Sequence, residues 1–176
     1  ICADFPKINP AQIAIDPGLP KEKYMRWAAL LRHQTPEEAV AILRQLKLDN
    51  DTISKAKTLV QWWKRPIGAD QTQIRRTMSQ MSPELYDDLL VLKASVGELE
   101  LQAEGCVEDL DWVKTQSGEI RQRGDCVSLK ELAVTGADLI QSGMKPGKEL
   151  GETLKRLLEL VLEHPEWNTK EILKKV

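Results

Sequence analysis

The sequence predicts an all-α protein, in which an irregular multi-helix bundle is followed by a small helical tail. Apolar residues recur at spacings of three and four along almost all of the 176 residues, and no segment alternates apolar and polar residues as a half-buried strand does. A helix start occurs twice in nearly the same form, as Thr35-Pro36-Glu37 and as Ser82-Pro83-Glu84. An N-cap hydroxyl, a proline in the first turn and an acid after it are each favoured at a helix N-terminus.

Five to six helices are expected in the bundle. In chain order they are one beginning near Pro20, one from Thr35 to about Asp49, one capped by Asn50-Asp51 and ending at Arg65-Pro66, one around Ile74 and Met78, one after Ser82, and a long acidic one from about Glu98 to Arg121. Gly124 follows a basic last turn, as a C-terminal helix cap often does. We therefore predict a body domain over residues 1–124, with room for the end of a neck in residues 1–20, and a tail domain over residues 125–176.

The tail has a recognisable order of elements. A short apolar helix is expected at about Leu129, a glycine turn at Gly136, a glycine-rich loop over residues 143–147 and a long amphipathic helix from about Lys148 to Glu163. Glycines let a backbone approach a ligand closely, and the N-terminus of a helix offers unpaired N–H groups to a phosphate. Lys145 and Lys148 would add positive charge beside that loop. The alternative is an ordinary turn and helix start, with Gly151 permitting close helix packing.

Composition excludes several classes of protein. No apolar run approaches the ~20 residues of a membrane span. The three cysteines have no paired spacing and there are only two histidines, which argues against a disulfide framework and a histidine-rich metal site. A cytoplasmic location is the natural expectation. The start of the chain has neither a methionine nor a secretory signal, which fits a fragment of a longer protein.

Charge is unevenly distributed along the chain. Between Arg44 and Arg76 eight basic residues oppose three acidic ones, whereas between Ser82 and Asp111 one lysine opposes nine acids. A phosphate-bearing partner would be attracted to the first segment and repelled from the second, which we place on the solvent side. The alternative is that these charges only solvate helix faces.

The residues that could carry catalytic chemistry lack either the geometry or the number of side chains that a catalytic site needs. Asp109 and Asp111 have the spacing of a two-metal carboxylate pair, but residues two apart on a helix point in divergent directions. Arg32-His33 ends a Trp27-Ala-Ala-Leu-Leu run that is similar to the His-Asp helix of HD-type phosphohydrolases, yet one other histidine cannot complete such a site. We therefore assign no catalytic residue, no metal ligand and no cofactor to this chain.

Trp62-Trp63-Lys64-Arg65 places two aromatic side chains beside two cations at the end of a helix. Neighbouring helical residues diverge by about 100°, so one tryptophan can be buried while the other is exposed. The apolar pattern assigns Trp63 to the core. Trp62, Lys64 and Arg65 are then candidates for a stacking and phosphate-binding surface for RNA.

Taken in order, these motifs resemble the body and tail of bacterial CCA-adding tRNA nucleotidyltransferases and the related poly(A) polymerases. The tail motifs are Gly136-x-Asp138-Leu-Ile, Gly143-x-Lys-Pro-Gly147, the Gly151 helix and Asn168-Thr-Lys-Glu; the body motifs are Trp27-Ala-Ala-Leu-Leu, Glu37-Glu-Ala and Leu43-Arg-x-Leu-Lys-Leu-Asp-Asn50. Glu108-Asp109 begins like the nucleotide-selecting motif of that family but lacks its arginine. The resemblance therefore implies that the catalytic head is missing here.

The resemblance implies a partner and a division of labour. In that family the head adds nucleotides from CTP and ATP to the tRNA 3′ end with Mg²⁺, and the body and tail hold the acceptor stem and elbow of tRNA. The implied RNA contacts in the tail are Lys145, Gly147, Lys148, Lys155 and Arg156. Charge alone adds Lys64, Arg65, Arg75 and Arg76, and Trp62 joins them as the exposed aromatic candidate.

Two other classes of function are weighed beside this one. The chain could be a helical protein–protein interaction module that offers Leu157, Leu158, Val161 and Leu162 to a partner. It could also be a degenerate HD-like enzyme, against which the histidine count argues.

Overall fold

The computed structural model describes residues 18–103 and 108–175. The helices in chain order are α1 (Lys23–Leu31), α2 (Pro36–Gln45), α3 (Asn50–Trp62), α4 (Gln71–Met78), α5 (Pro83–Val96), α6 (Glu98–Ala103), α7 (Leu110–Arg123), α8 (Gly136–Gln141), α9 (Lys148–Glu163) and α10 (Lys170–Leu173), with a 3-10 turn at Pro165–Trp167. The described residues form helices, turns and loops without a strand. The all-α prediction is confirmed.

Side-chain caps begin most of the helices where the sequence places them. Thr35 and Glu38 form a reciprocal capping box at α2, and Ser82 accepts a hydrogen bond from the Leu85 N–H at α5. The cap of α3 is Asp49, whose carboxylate accepts the Thr52 N–H at 2.8 Å. The prediction that Asn50-Asp51 caps this helix is therefore wrong by one residue, because both already lie in its first turn.

Three predictions about helix boundaries need correction. The single acidic helix from Glu98 to Arg121 is wrong, because residues 108 and 109 are not helical and α7 begins at Leu110; residues 104–107 lie outside the described part. The segment near Leu129 is a turn. Gly136 is the first residue of α8, because Thr135 and Asp138 form a second capping box there.

Gly124 ends α7 as predicted. The Gly124 N–H donates to the Arg121 carbonyl and the next N–H donates to the Ile120 carbonyl, which together form the Schellman pattern. That pattern needs a left-handed residue, and Gly124 has a φ of 70°.

Contacts divide the chain into two compact units. Among the described residues, unit 1 contains residues 18–66, 81–103 and 108–110, and unit 2 contains residues 67–80 and 111–175. The unit boundaries differ from the predicted body and tail in two respects, since α4 and nearly all of α7 group with the C-terminal helices. The domain boundary at residue 124 stays a prediction.

The core of unit 1 forms where α1, α2 and α5 pack against α3. Trp63 is fully buried there, as predicted, and its indole N–H donates to the Arg32 carbonyl. A buried ion pair between Lys93 and Glu108 ties α5 to the residues before α7, and the Lys93 ammonium also donates to the Arg65 carbonyl at 2.8 Å. These bonds compensate the cost of burying the two charges.

The core of unit 2 is built around one face of α9. Its buried residues are Cys126, Leu132, Val134, Leu139, Leu157, Val161 and Leu173. Burial raises the pKa of the Cys126 thiol, so it is a core residue rather than a nucleophile. Cys2 and Cys106 lie outside the described residues. No helix in the described part of the chain is both long and apolar enough to cross a membrane.

Candidate nucleic-acid interface

The loop between α8 and α9 is shaped by the way the first helix ends and the second begins. The Met144 N–H donates to the Leu139 carbonyl at 3.1 Å and the Gly143 N–H donates to the Ile140 carbonyl at 3.0 Å, which is a Schellman cap on α8. Gly143 has a φ of 101°, a left-handed value that glycine adopts at little cost. The predicted glycine-rich loop is therefore present, with a glycine required at its first residue.

The start of α9 lacks the cap that other helices of this chain possess. Its N-cap is Gly147, which has no side chain to accept a hydrogen bond from the first turn. Within the described residues, the first N–H groups of this 16-residue helix therefore face the loop without a side-chain cap. This is the arrangement in which a helix N-terminus stabilises an anion.

The cations beside this loop are exposed and available. Lys145 is exposed, and within the described residues it makes no ion pair. Lys148 is 92% exposed and lies 3.6 Å from Glu152, a contact that solvent weakens. Glu149 in the first turn opposes them in charge. The loop thus presents two lysines and a free helix N-terminus together.

Lys155 and Arg156 continue the positive charge along α9. Both are exposed, and they line a shallow depression with Glu159, Leu160 and Glu163. Neither cation makes an ion pair in the described part of the chain, whereas Glu159 and Glu163 both pair with Arg76. Pairing with Arg76 reduces the negative potential that these two acids would otherwise exert on a phosphate nearby. Gly151 has open space around it, so the close-packing role considered for it is wrong.

Arg75 and Arg76 are neighbours in sequence with opposite surroundings. The Arg75 side chain is 5% exposed, and it donates from Nε to the Leu162 carbonyl at 2.7 Å and pairs with Asp125 at 3.3 Å. Its donors are used inside unit 2, so it has no group to offer to RNA, and we remove it from the candidate contacts. Arg76 is 43% exposed and is held by Glu159 and Glu163.

Trp62, Lys64 and Arg65 lie together at the C-terminal end of α3. Trp62 is half-buried, and the Arg65 guanidinium lies 5.4 Å from the centre of its ring. That distance is within the range of a cation–π contact. The Lys93 ammonium bound to the Arg65 carbonyl fixes the backbone beneath this pair. Lys64 and Arg65 are exposed, so the cluster has both an aromatic edge and accessible positive charge.

The charge of the acidic segment, residues 82–111, predicts that it lies on the solvent side. In the structure it does not lie there entirely. Glu108 is buried against Lys93, Glu100 pairs with the nearly buried Arg32 at 2.7 Å, and Asp88 accepts a hydrogen bond from the Tyr24 hydroxyl at 2.8 Å. These carboxylates hold unit 1 together. The expectation failed for them because tertiary packing brings them to partners that lie 15, 68 and 64 residues away in sequence.

The residues that raised the question of metal chemistry have other surroundings. His33 lies just after α1, with Nε2 3.1 Å from Glu100 and its ring edge-on to Trp63 at 5.3 Å. Asp109 precedes α7 and Asp111 lies in its first turn. Within residues 18–103 and 108–175 no three His, Cys, Asp or Glu side chains are grouped as a metal site requires.

A cleft of about 450 Å³ adjoins the loop, and sequence reasoning missed it. Gly143, Met144 and Lys145 line it, together with Thr153 of α9 and Lys174 after α10. Lys174 was not among the candidates, because only the tertiary packing of α10 brings it near a loop some thirty residues earlier in the sequence. No spacing within the sequence signals that proximity.

Comparison with known proteins places the chain in a family. A family model described as tRNA nucleotidyltransferase domain 2 matches residues 20–176, which is most of the chain. No curated protein and no solved structure matches it. The match covers both the α3 cluster and the loop before α9, so the resemblance inferred from the motifs is confirmed. The chain belongs to the tRNA nucleotidyltransferase domain 2 family.

Proposed function

We propose that this chain is the part of a tRNA nucleotidyltransferase that holds the acceptor stem and elbow of tRNA through phosphate and shape contacts. A catalytic head elsewhere in the parent protein, using Mg²⁺ with CTP and ATP, would add the 3′ nucleotides in the cytoplasm. The observation that carries the proposal is the uncapped N-terminus of α9, flanked by the exposed Lys145 and Lys148 in a chain of this family.

The proposed contact set is supported by exposure and charge. In unit 2 it contains Lys145, Gly147, Lys148, Lys155 and Arg156, and in unit 1 it contains Trp62, Lys64 and Arg65. Arg76 stays in the set as a half-exposed cation, and Arg75 leaves it because it is buried. Such contacts recognise backbone and shape, so we expect little dependence on base sequence.

The alternative function is a helical protein–protein interaction module, and most of the apolar surface of α9 that it would offer to a partner is buried. Leu157, Val161 and Leu162 are each at most 3% exposed, and the first two belong to the core of unit 2. Only Leu158 is partly accessible. A partner could contact these three side chains only if they became exposed.

The test is tRNA binding by fluorescence anisotropy with two charge-matched double variants. We expect Lys145→Glu/Lys148→Glu to weaken binding by at least about tenfold, because it replaces two phosphate contacts by repulsion. Lys114→Glu/Lys130→Glu changes the same net charge at two exposed lysines of unit 2 that do not line the loop, and we expect it to bind within about threefold of the unmodified chain. An equal loss of tRNA affinity in the two double variants would contradict RNA binding at this loop.

A further inference from the structure

The cleft beside the α8–α9 loop has two chemically different sides. Its buried side is apolar and consists of Leu139, Leu157 and Leu173, each at most 6% exposed. Its exposed side carries two ammonium groups, two hydroxyls and one carboxylate, from Lys145, Lys174, Ser142, Thr153 and Glu149. The volume of about 450 Å³ lies within the usual range for small-ligand sites.

Most polar side chains of the cleft have no partner within the described residues. Within the described residues the side chains of Lys145, Glu149, Thr153 and Lys174 make no ion pair and no hydrogen bond. The Ser142 hydroxyl donates to the Asp138 carbonyl at 3.0 Å, which leaves its oxygen free to accept. Donors, acceptors and both signs of charge are therefore available to a ligand.

This combination selects the chemistry of the ligand. The leucine side favours a flat or apolar body, and the two lysines favour an anionic group at the mouth. The Glu149 carboxylate accepts N–H donors and repels a second anion. Inorganic phosphate would contact only the lysines, and a fatty acid would leave the Glu149 carboxylate without a donor. A nucleotide whose base carries an amino group can contact the leucines, the lysines and the carboxylate together.

We propose that this cleft binds one unpaired nucleotide of the RNA, with its base over the leucines, an amino group on Glu149 and its phosphate at Lys145 and Lys174. The inference rests on the proposed function, because Gly143, Met144 and Lys145 belong both to the cleft and to the loop that would hold the RNA backbone. Cytosine, adenine and guanine carry amino groups, whereas the one donor of the uracil base, N3–H, lies between two carbonyl oxygens that a carboxylate repels. The cleft therefore prefers the first three bases.

The first experiment titrates the chain separately with CMP, AMP, GMP, UMP and inorganic phosphate while following the methyl NMR signals of Leu139, Leu157 and Leu173. We expect CMP to shift these signals and to bind about tenfold more tightly than UMP. Glu149→Gln should abolish the difference, because an amide also donates to uracil oxygens. Glu171→Gln, an exposed acid of α10 that does not line the cleft, should preserve it. Equal affinity for CMP, UMP and phosphate in the unmodified chain would overturn the inference.

The second experiment connects the cleft to tRNA. Thr153→Trp fills the cleft and keeps both lysines, so we expect about tenfold weaker tRNA binding. Unchanged tRNA affinity in a Thr153→Trp variant whose circular dichroism is native would overturn the inference and leave the proposed function intact. A chain that binds CMP but no tRNA would contradict the proposed function and the RNA part of this inference together.

Discussion

Arg75 connects α4 to the C-terminal end of α9, and replacing it by methionine measures what that connection contributes to stability. Methionine keeps an apolar stem in the buried site and removes the guanidinium. The Leu162 carbonyl then loses the donor that now lies 2.7 Å away, and Thr72 loses a donor at 3.2 Å. Asp125 loses one partner and keeps the Arg123 guanidinium at 2.8 Å.

The magnitude follows from these lost contacts. A buried carbonyl left without a donor costs about 1–3 kcal/mol, and removing one partner of a buried ion pair costs about 3–5 kcal/mol when the other charge is left alone. Because Asp125 retains Arg123, we place the total loss for Arg75→Met at about 3 kcal/mol. Arg76→Met is the matched control on the same helix, and its exposed pairs predict a loss below about 1 kcal/mol.

The assay is urea unfolding followed by circular dichroism, with hydrogen exchange of the last turn of α9 as a local readout. We expect Arg75→Met to shift the transition to lower urea and to speed exchange at that turn, while Arg76→Met does neither to a comparable extent. A loss below about 1 kcal/mol for Arg75→Met, or equal losses for the two variants, would refute the reasoning.

Three further predictions concern single residues. Lys47 follows α2 with a φ of 56°, so Lys47→Gly should raise the urea midpoint by relieving a left-handed conformation that costs a non-glycine residue about 1 kcal/mol. Hydrogen bonds from the Thr135 side chain and backbone, with Lys170, hold the pKa of Asp138 well below its usual range. Its stabilising effect should be complete above the ordinary Asp pKa, fade as pH falls towards the native value, and vanish from the pH–stability profile of Asp138→Asn. Burial and the hydrogen bond to Asp88 raise the pKa of Tyr24 to about 12, so an ultraviolet titration should show a tyrosine that ionises above the ordinary tyrosine pKa. The free energy of unfolding should fall as pH rises from that ordinary value through 12.

The local part of this structure could be predicted from the sequence because its signals are local. The Thr35 and Ser82 caps, the Gly124 stop and α9 from Lys148 to Glu163 depend on residues within one or two helical turns, and the structure has each of them. The separation of Trp62 from Trp63 follows in the same way from the angle between successive helical residues.

The parts that could not be predicted depend on contacts distant in sequence. Arg75 and Arg76 look alike in a basic segment, and only the packing of α4 against α9 buries one and exposes the other. The Lys93–Glu108 pair and the approach of Lys174 to the α8–α9 loop also depend on tertiary packing, so the sequence alone does not predict them. For the interface, sequence reasoning could therefore name candidate cations but could not separate structural ones from accessible ones.

The most direct test of the proposed grip on tRNA is the slope of log affinity against log salt concentration, measured for the unmodified chain and for Lys145→Glu/Lys148→Glu. Each phosphate contact contributes about 0.7–0.9 to that slope, so we expect a clear salt dependence that becomes shallower by about 1.4–1.8 in the variant. Different tRNA sequences should give the same slope. A flat salt dependence, or a slope that the variant leaves unchanged, would contradict the proposal that this loop holds the RNA backbone.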